Sequence, residues 1–439
     1  MQIFRPQTVQ QALADVSIAK SGDVVHMPVA SVGWLKLGKV AAGVTLQAGT
    51  YSKIECASDG VIFDRPVVKA TGQGYDSFGI IITGNDCVIK FPTVDNRDGT
   101  VWTVADWRAK ACGGIMLRGH RNKVTGGNLY NVRHGVVPHD QGSYSNIEGV
   151  HIDGVAGDAF RLNQNGMRLA LCRVVNFKAV DGNHDDGAQG FARDPITGQP
   201  TKTRAYSVDD VEVDSNTFLA SDDPNDEIWT RTAEAGPYVL DQPPLTSPFQ
   251  GIVIFNGSAL RWEVTNNLIV STPWKHGISL SAAKDCFVAD NTVIDGNPNF
   301  RGDQMQISVQ RNNGNVVTGN SAPRINPFWP GNKEIPPSDY AEHYKDPANL
   351  DFSPIGSGPA PVPVPPAPVP TPSPAPAPVP TPEPEPEPPV VEPEQPAEEP
   401  PADTTLAAIL AEIDAVKASI ADAQDGVANL TALVAKLRK

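Results

Sequence analysis

His134, Asp158, Asp186, Gln250, His276 and Asp303 each stand just ahead of a short apolar-alternating stretch, a repeated place for residues suited to acid–base chemistry. The third of these lies in GNHDDGAQG, which sets His184 and Asp185 beside Asp186. If the stretches stack as β-coils, matching positions come to lie about 4.8 Å apart. His134, Asp158 and Asp186 then become neighbours, with Asp185 and His184 close by. Two carboxylates forced together repel, so one takes up a proton and serves as general acid while the other stays ionised. That division of labour is what hydrolysis of a glycosidic bond requires. The predicted catalytic group is therefore Asp158, Asp185, Asp186 and His184. The strip beside it, His139, Arg161 and Gln189, is predicted to hold substrate. Elimination at a uronate would instead use Arg161 to neutralise the carboxylate, with His139 or His184 as base. Calcium is the one ion these carboxylates suit; no other cofactor or metal site is predicted. Against all of these stands ordinary turn chemistry, because Asp-Gly at the start of a strand needs no further reason.

The repeat that would position these groups is visible when segments are aligned. GIIITGNDCVIKF from Gly79, GIMLRGHRNKVTGGNLYNV from Gly114 and HGVVPHDQGSYSNIEGVHIDGV from His134 share one plan. So do DAFRLNQNGMRLALCRVVNF from Asp158, QGIVIFNGSALRWEVTNNLIV from Gln250 and HGISLSAAKDCFVADNTVIDG from His276. Each runs from a short alternating strand through a polar turn into a β-branched strand. Short strands at such a period, without a helical stripe, predict an all-β solenoid, a parallel β-helix over residues 21–330 with an extension to 358. Alternation turns Val136, Pro138, Phe160, Leu162, Ile252, Ile254, Ile278, Leu280, Met305 and Ile307 inward. It turns Met116, Arg118, Val137, His139, Arg161, Asn163, Gln189, Phe191, Ser279 and Gln306 outward. Asn216, Asn267, Asn291 and Asn320 recur late in their repeats and are expected to hydrogen-bond from coil to coil. Cys87 and Cys286 occupy matching places, which points to packing. Within residues 1–20, TVQQALADV places Val9, Leu13 and Val16 on one helical face, a capping helix for the first coil. The pattern breaks between Ala220 and Gln250, a long insertion whose Trp229 and Tyr238 could stack on sugars or pin the loop.

Half of the 42 prolines lie between Pro359 and Pro401. This segment, 359–403, favours polyproline II and reaches about 140 Å when extended. Residues 404–439 read in heptads, with Leu406, Ile413, Ile420, Val427 and Val434 at a and Ile409, Val416, Ala423, Leu430 and Leu437 at d. They predict a coiled-coil helix that either trimerises the chain or docks on another protein. The formal net charge of −15 lacks the clustered Lys and Arg of a nucleic-acid reader. Five scattered cysteines give neither a disulfide framework nor a zinc pattern. No secretory signal and no membrane-length apolar run are visible.

Over roughly Met1 to Pro330 the coils resemble the pectate-lyase-like superfamily of right-handed parallel β-helices. His184-Asp185-Asp186-Gly187 resembles the paired-aspartate motif of polygalacturonases, and Lys275-His276-Gly277 that family's Gly-His-Gly segment, with Lys275 in place of the first glycine. Val137-Pro138-His139-Asp140 resembles the Asp-Pro-His-Asp motif of alginate epimerases and lyases, with Val137 in place of its first acid. The whole plan of β-helix, strut and heptad segment is similar to phage tail spikes and tail-associated depolymerases. That resemblance implies a virion protein, commonly a homotrimer, that binds or degrades a bacterial surface polysaccharide. Assembly in the host cytoplasm and release by lysis would need no signal. A non-catalytic adhesive or structural fibre and a secreted lyase or epimerase are the other readings.

Overall fold

The computed structural model describes residues 1–335 apart from 29–30, 71–73, 75–76, 140, 183–184, 195–200, 202–203, 224, 231–240, 273–275 and 298–304. Two compact units divide the chain, Met1–Pro363 and Val364–Lys439. The strut and the heptad helix, together with His184, Tyr238, Asp303 and Asp140, lie outside the described residues.

Three long sheets run the length of the described chain, one of twelve strands and two of eleven. They are called sheet 1, sheet 2 and sheet 3 here, sheet 2 being the one that contains Asn128–Val132. Each coil crosses sheet 3, then sheet 1, then sheet 2. One such turn is Gly113–Leu117, Lys123–Thr125 and Asn128–Val132, after which Val136–Pro138 returns to sheet 3. Every pairing within the three sheets is parallel, and crossovers between parallel strands are right-handed almost without exception. The chain is a right-handed parallel β-helix. Its coils extend to Lys333–Glu334, which pairs with Ser321–Ala322, a little beyond the expected end at 330.

All ten residues expected to point inward are buried. The register explains why: Val136 faces Phe160, Phe160 faces Ala188, Ala188 faces Ile252, and Ile252 faces Ile278. Side chains of equal depth therefore stack on one another along the axis and exclude water. The outward set fares differently. Arg118 is exposed, and Met116, His139, Arg161 and Phe191 are half-buried, but Val137, Asn163, Gln189, Ser279 and Gln306 are buried. Alternation reports the pleat correctly; it does not report what else covers the sheet.

At the N-terminus a strand at Ile3–Phe4 pairs with Val24–Val25. Helix α1, Val9–Ile18, follows, and its Thr8 hydroxyl and Gln11 side chain form a reciprocal capping box. Ala12 and Val16 enter the same core as Val25 and Leu35. Val16 is buried as expected, but Leu13 is 42% exposed: the buried stripe runs through Ala12, Val16 and Ala19, and Ala12 lies about 100° around the helix from Leu13.

The asparagine ladder forms and is one rung longer than expected. Asn216 donates to Asn267 Oδ1, Asn267 to Asn291, Asn291 to Asn320, and Asn320 to Asn332, through both the backbone N–H and the amide, at 2.8–3.0 Å. Each amide also donates to the carbonyl of a neighbouring coil, as Asn267 does to Val213 at 2.9 Å. Cys87 and Cys286 do match: each backbone N–H donates to an asparagine oxygen, Asn122 at 2.9 Å and Asn315 at 2.9 Å. Replacing Asn267 by Ala strands donors on Asn216 and should cost about 1–3 kcal/mol or more. Asn332→Ala, at the last rung, should cost less. Thermal or urea melts of the two variants check the order.

Candidate functional site

Register brings His134, Asp158, Asp186, Gln250 and His276 into one column at the start of sheet 3, since each stands two residues before an inward partner in the stacked row. The residue after each is glycine or alanine: Gly135, Ala159, Gly187, Gly251 and Gly277. Here sheet 2 passes too close for larger side chains. A Cβ on Gly251 would lie 2.7 Å from Ile269, and one on Gly277 would lie 2.6 Å from Val293, both of sheet 2. The glycines of HDDG and KHG thus serve coil packing, whatever else those motifs do.

The acids do come together, but inside the protein. Asp158, Asp185 and Asp186 are between 0% and 3% exposed. Asp158 accepts from Arg161 Nε at 2.7 Å, and its backbone N–H donates to His134 Nδ1 at 3.1 Å. His134 is pushed down to about 4, chiefly by burial, so it is neutral at pH 7. With Nδ1 accepting, its proton sits on Nε2, and the 3.4 Å approach of Arg161 Nη2 to that atom is contact rather than a hydrogen bond. Burial pushes Asp185 well above the carboxylate range; a hydrogen bond with Ser247 opposes this, and the charges of Asp186, Asp181 and Asp158 add to it. Asp158 Oδ1 and Asp185 Oδ2 are buried and have no hydrogen-bond partner. One acid that keeps its proton beside others is the expected electrostatic pattern. Among the described residues no group of three or more His, Cys, Asp and Glu is placed to hold a metal ion.

A roof of elements outside the repeat packs on the segments that lead into Asp158 and Asp185, and the coil pattern did not foretell it. Helix α2, Val104–Lys110, is capped by Thr103 and Asp106. Its Trp107, edge-to-face with Trp102 at 5.3 Å, packs on Ala156 and Val180, which follow strands of sheet 2. Arg108 donates to the Val180 carbonyl at 2.9 Å. The insertion contributes its far end: Val104 N–H donates to Gln242, Ala179 N–H to Leu245, and Ser247 N–H to Phe177. The Thr103–Asp106 spacing was the available signal for this helix.

The substrate-binding expectations separate. Arg161 and Gln189 are paired neighbours on the outer side of sheet 3, and Arg161 lies 5.7 Å from the Phe191 ring. His139 is half-buried just past the sheet 3 strand Val136–Pro138, its carbonyl accepting from Gln164 at 2.8 Å. Trp229 is a correction. It is 7% exposed within the main core, lies against Gly296, and donates from its indole to the Asp223 carbonyl at 3.0 Å. Its ring faces are used by the protein, so it pins the insertion. His276 stands apart from the acids, its ring edge-on to Phe255 at 4.7 Å and its Nδ1 2.9 Å from Ser279 Oγ.

A cleft of about 430 Å³ opens beside the Arg161 strip. Asn163, Asn165, Phe191, Arg193, Asp194 and Ser143 are among its lining residues. Asn163 Oδ1 accepts the Phe191 N–H at 3.0 Å, which fixes the carboxamide beside the ring. Phe191 and Asn163 were identifiable as outward residues; the turn and loop residues were not, because their place depends on insertions outside the repeat.

No protein-family profile and no curated protein matches the chain. Among solved structures it is similar to pectate lyase Pel9A, at 14% identity and TM-score 0.39 over 71% of this chain and 73% of that one. It is also similar to a PL6 family polysaccharide lyase from Pseudopedobacter saltans, at 10% identity and TM-score 0.35 over 78% and 89%. A third is the Dettilon tailspike protein, at 14% and 0.29 over 74% and 62%.

The protonated state of Asp185 has a measurable consequence. Its folded pKa lies above its unfolded one, so its contribution is most favourable in acid and declines as pH rises past the ordinary carboxylate range. Asp185→Asn removes that penalty. The melting temperature of the variant relative to the parent should therefore be higher at pH 8 than at pH 4. A difference that does not change with pH would mean that Asp185 titrates as an ordinary carboxylate.

Proposed function

We propose that this protein is a virion-associated spike or fibre that binds a bacterial surface polysaccharide along the outer side of sheet 3. One observation carries the reading: the cleft beside Arg161 joins a half-buried aromatic ring to fixed amides and a charged pair, Arg193 and Asp194. A pyranose has C–H groups on its faces and hydroxyls around its rim. Phe191 suits the first and the carboxamides of Asn163 and Asn165 suit the second, as donors and acceptors in one plane. Half-buried Arg161, 5.7 Å from the Phe191 ring, continues the same surface, so that a chain of sugars, rather than one, has somewhere to lie. In this reading the proline-rich segment is a strut and the heptad helix trimerises the protein or docks it.

Cleavage is the second reading, favoured by the proton that Asp185 keeps beside Asp158 and Asp186. Their burial favours binding over cleavage as the primary role.

Titrating purified protein with capsular and lipopolysaccharide preparations tests both. Saturable binding is expected, weakened about tenfold or more by Phe191→Ala, which corresponds to about 1.4 kcal/mol. Reducing ends and unsaturated products, followed in the same samples, report cleavage. Binding unchanged by Phe191→Ala removes the cleft from the account. No binding to any preparation leaves a structural fibre.

A further inference from the structure

We propose that Cys56 and Cys87 are an oxidisable pair, and that peroxide converts them to a disulfide tying two adjacent coils together near the N-terminal end of the β-helix. Cys56 ends the sheet 3 strand Lys53–Cys56, and Cys87 immediately precedes the sheet 1 strand Val88–Lys90 of the next coil. Both sulfurs close on one atom, the Ser58 carbonyl oxygen, Cys56 Sγ at 3.5 Å and Cys87 Sγ at 3.2 Å. The two thiols also influence each other: the neighbouring Cys56 holds the Cys87 thiol below its ordinary range, and Cys87 holds that of Cys56 above it. The other cysteines have no such partner. Cys112 Sγ contacts Asn96 and Gly113, Cys172 contacts the Ala170 carbonyl, and Cys286 contacts the carbonyls of Ala259 and Lys284.

The thiol chemistry is asymmetric. Their interaction lowers the Cys87 thiol and raises that of Cys56, so the first thiolate forms at Cys87. That thiolate attacks one oxygen of hydrogen peroxide and breaks the O–O bond. With one proton taken up, the products are a sulfenic acid and water. The Cys56 sulfur then attacks the sulfenic sulfur. The S–O bond breaks, the Cys56 proton leaves with the hydroxyl as a second water, and the S–S bond forms. Both sulfurs are 0–1% exposed, so peroxide must reach them through local opening of the end coils. A solenoid is held by neighbour contacts and opens from its ends, which is where a bond between coils has most effect.

The experiment needs only the intact protein. It is incubated with hydrogen peroxide under native conditions, quenched, unfolded, alkylated and mapped by mass spectrometry. Of the five thiols free at the start, two should escape alkylation, and a peptide pair joined through Cys56 and Cys87 should appear. Cys56→Ala and Cys87→Ala should each abolish that linked pair. The oxidised parent should melt at a higher temperature than the reduced parent, and added dithiothreitol should reverse the shift. Five alkylated thiols in protein that has kept its fold would overturn the proposal. So would a linkage through Cys112, Cys172 or Cys286, or stepwise oxidation of Cys87 to sulfinic acid without linkage. If a variant fails to fold, the peptide map of the parent alone still decides.

Discussion

Hydrogen bonding between coils is the constraint from which the remaining structure follows. Each turn of the chain directs its strand N–H and C=O groups along the axis, where only another turn in register about 4.8 Å away can satisfy them. Register then fixes every column. Ile252 must sit on Ile278, asparagines must meet asparagines at the turn, and the residue ahead of each sheet 3 strand must sit on its counterpart. A side chain that failed its column would leave a buried polar group unpaired or two coils prised apart. The ladder from Asn216 to Asn332 shows the first demand met by side chains. The glycines ahead of Val136, Ala188, Ile252 and Ile278 show the second met by removing the side chain altogether.

The same constraint accounts for the acids. Stacking alone was enough to predict that Asp158 and Asp186 would be neighbours, because column position depends on local spacing. Their surroundings were not predictable in this way: α2 and the end of the insertion between Ala220 and Gln250 obey no repeat, and they pack on Ala156, Phe177 and Val180, which precede the acids in the chain. Burial raises Asp185 well above its ordinary range and lowers His134, while Arg161 pairs with Asp158 at 2.7 Å. Motif likeness at HDDG and KHG is correspondingly modest evidence of chemistry, since Gly187 and Gly277 are required where sheet 2 crowds the strand start.

What was legible in the sequence was whatever the repeat dictates: strand positions, inward residues, the asparagine ladder and the equivalence of Cys87 with Cys286. Helix α1 was legible as a helix, with Val16 on its buried face, but Ala12 is buried where Leu13 was expected. Trp229 shows the limit most plainly. An aromatic residue in a long insertion fits a sugar platform or a structural pin equally well, and only the packing against Gly296 distinguishes them. The cleft at Phe191 was half visible: its sheet residues follow from alternation, while Ser143, Arg193 and Asp194 come from turns and loops.

The central claim is that the outer side of sheet 3, and not the roofed carboxylate cluster, is where polysaccharide binds. Hydrogen–deuterium exchange with and without a bound polysaccharide compares the two places in one measurement. Slowed exchange is expected across residues 142–145, 161–165 and 189–194, with residues 104–111 and 178–181 around the roof unchanged. Protection confined to the roof segments, or faster exchange there as the acids become accessible, would contradict the account.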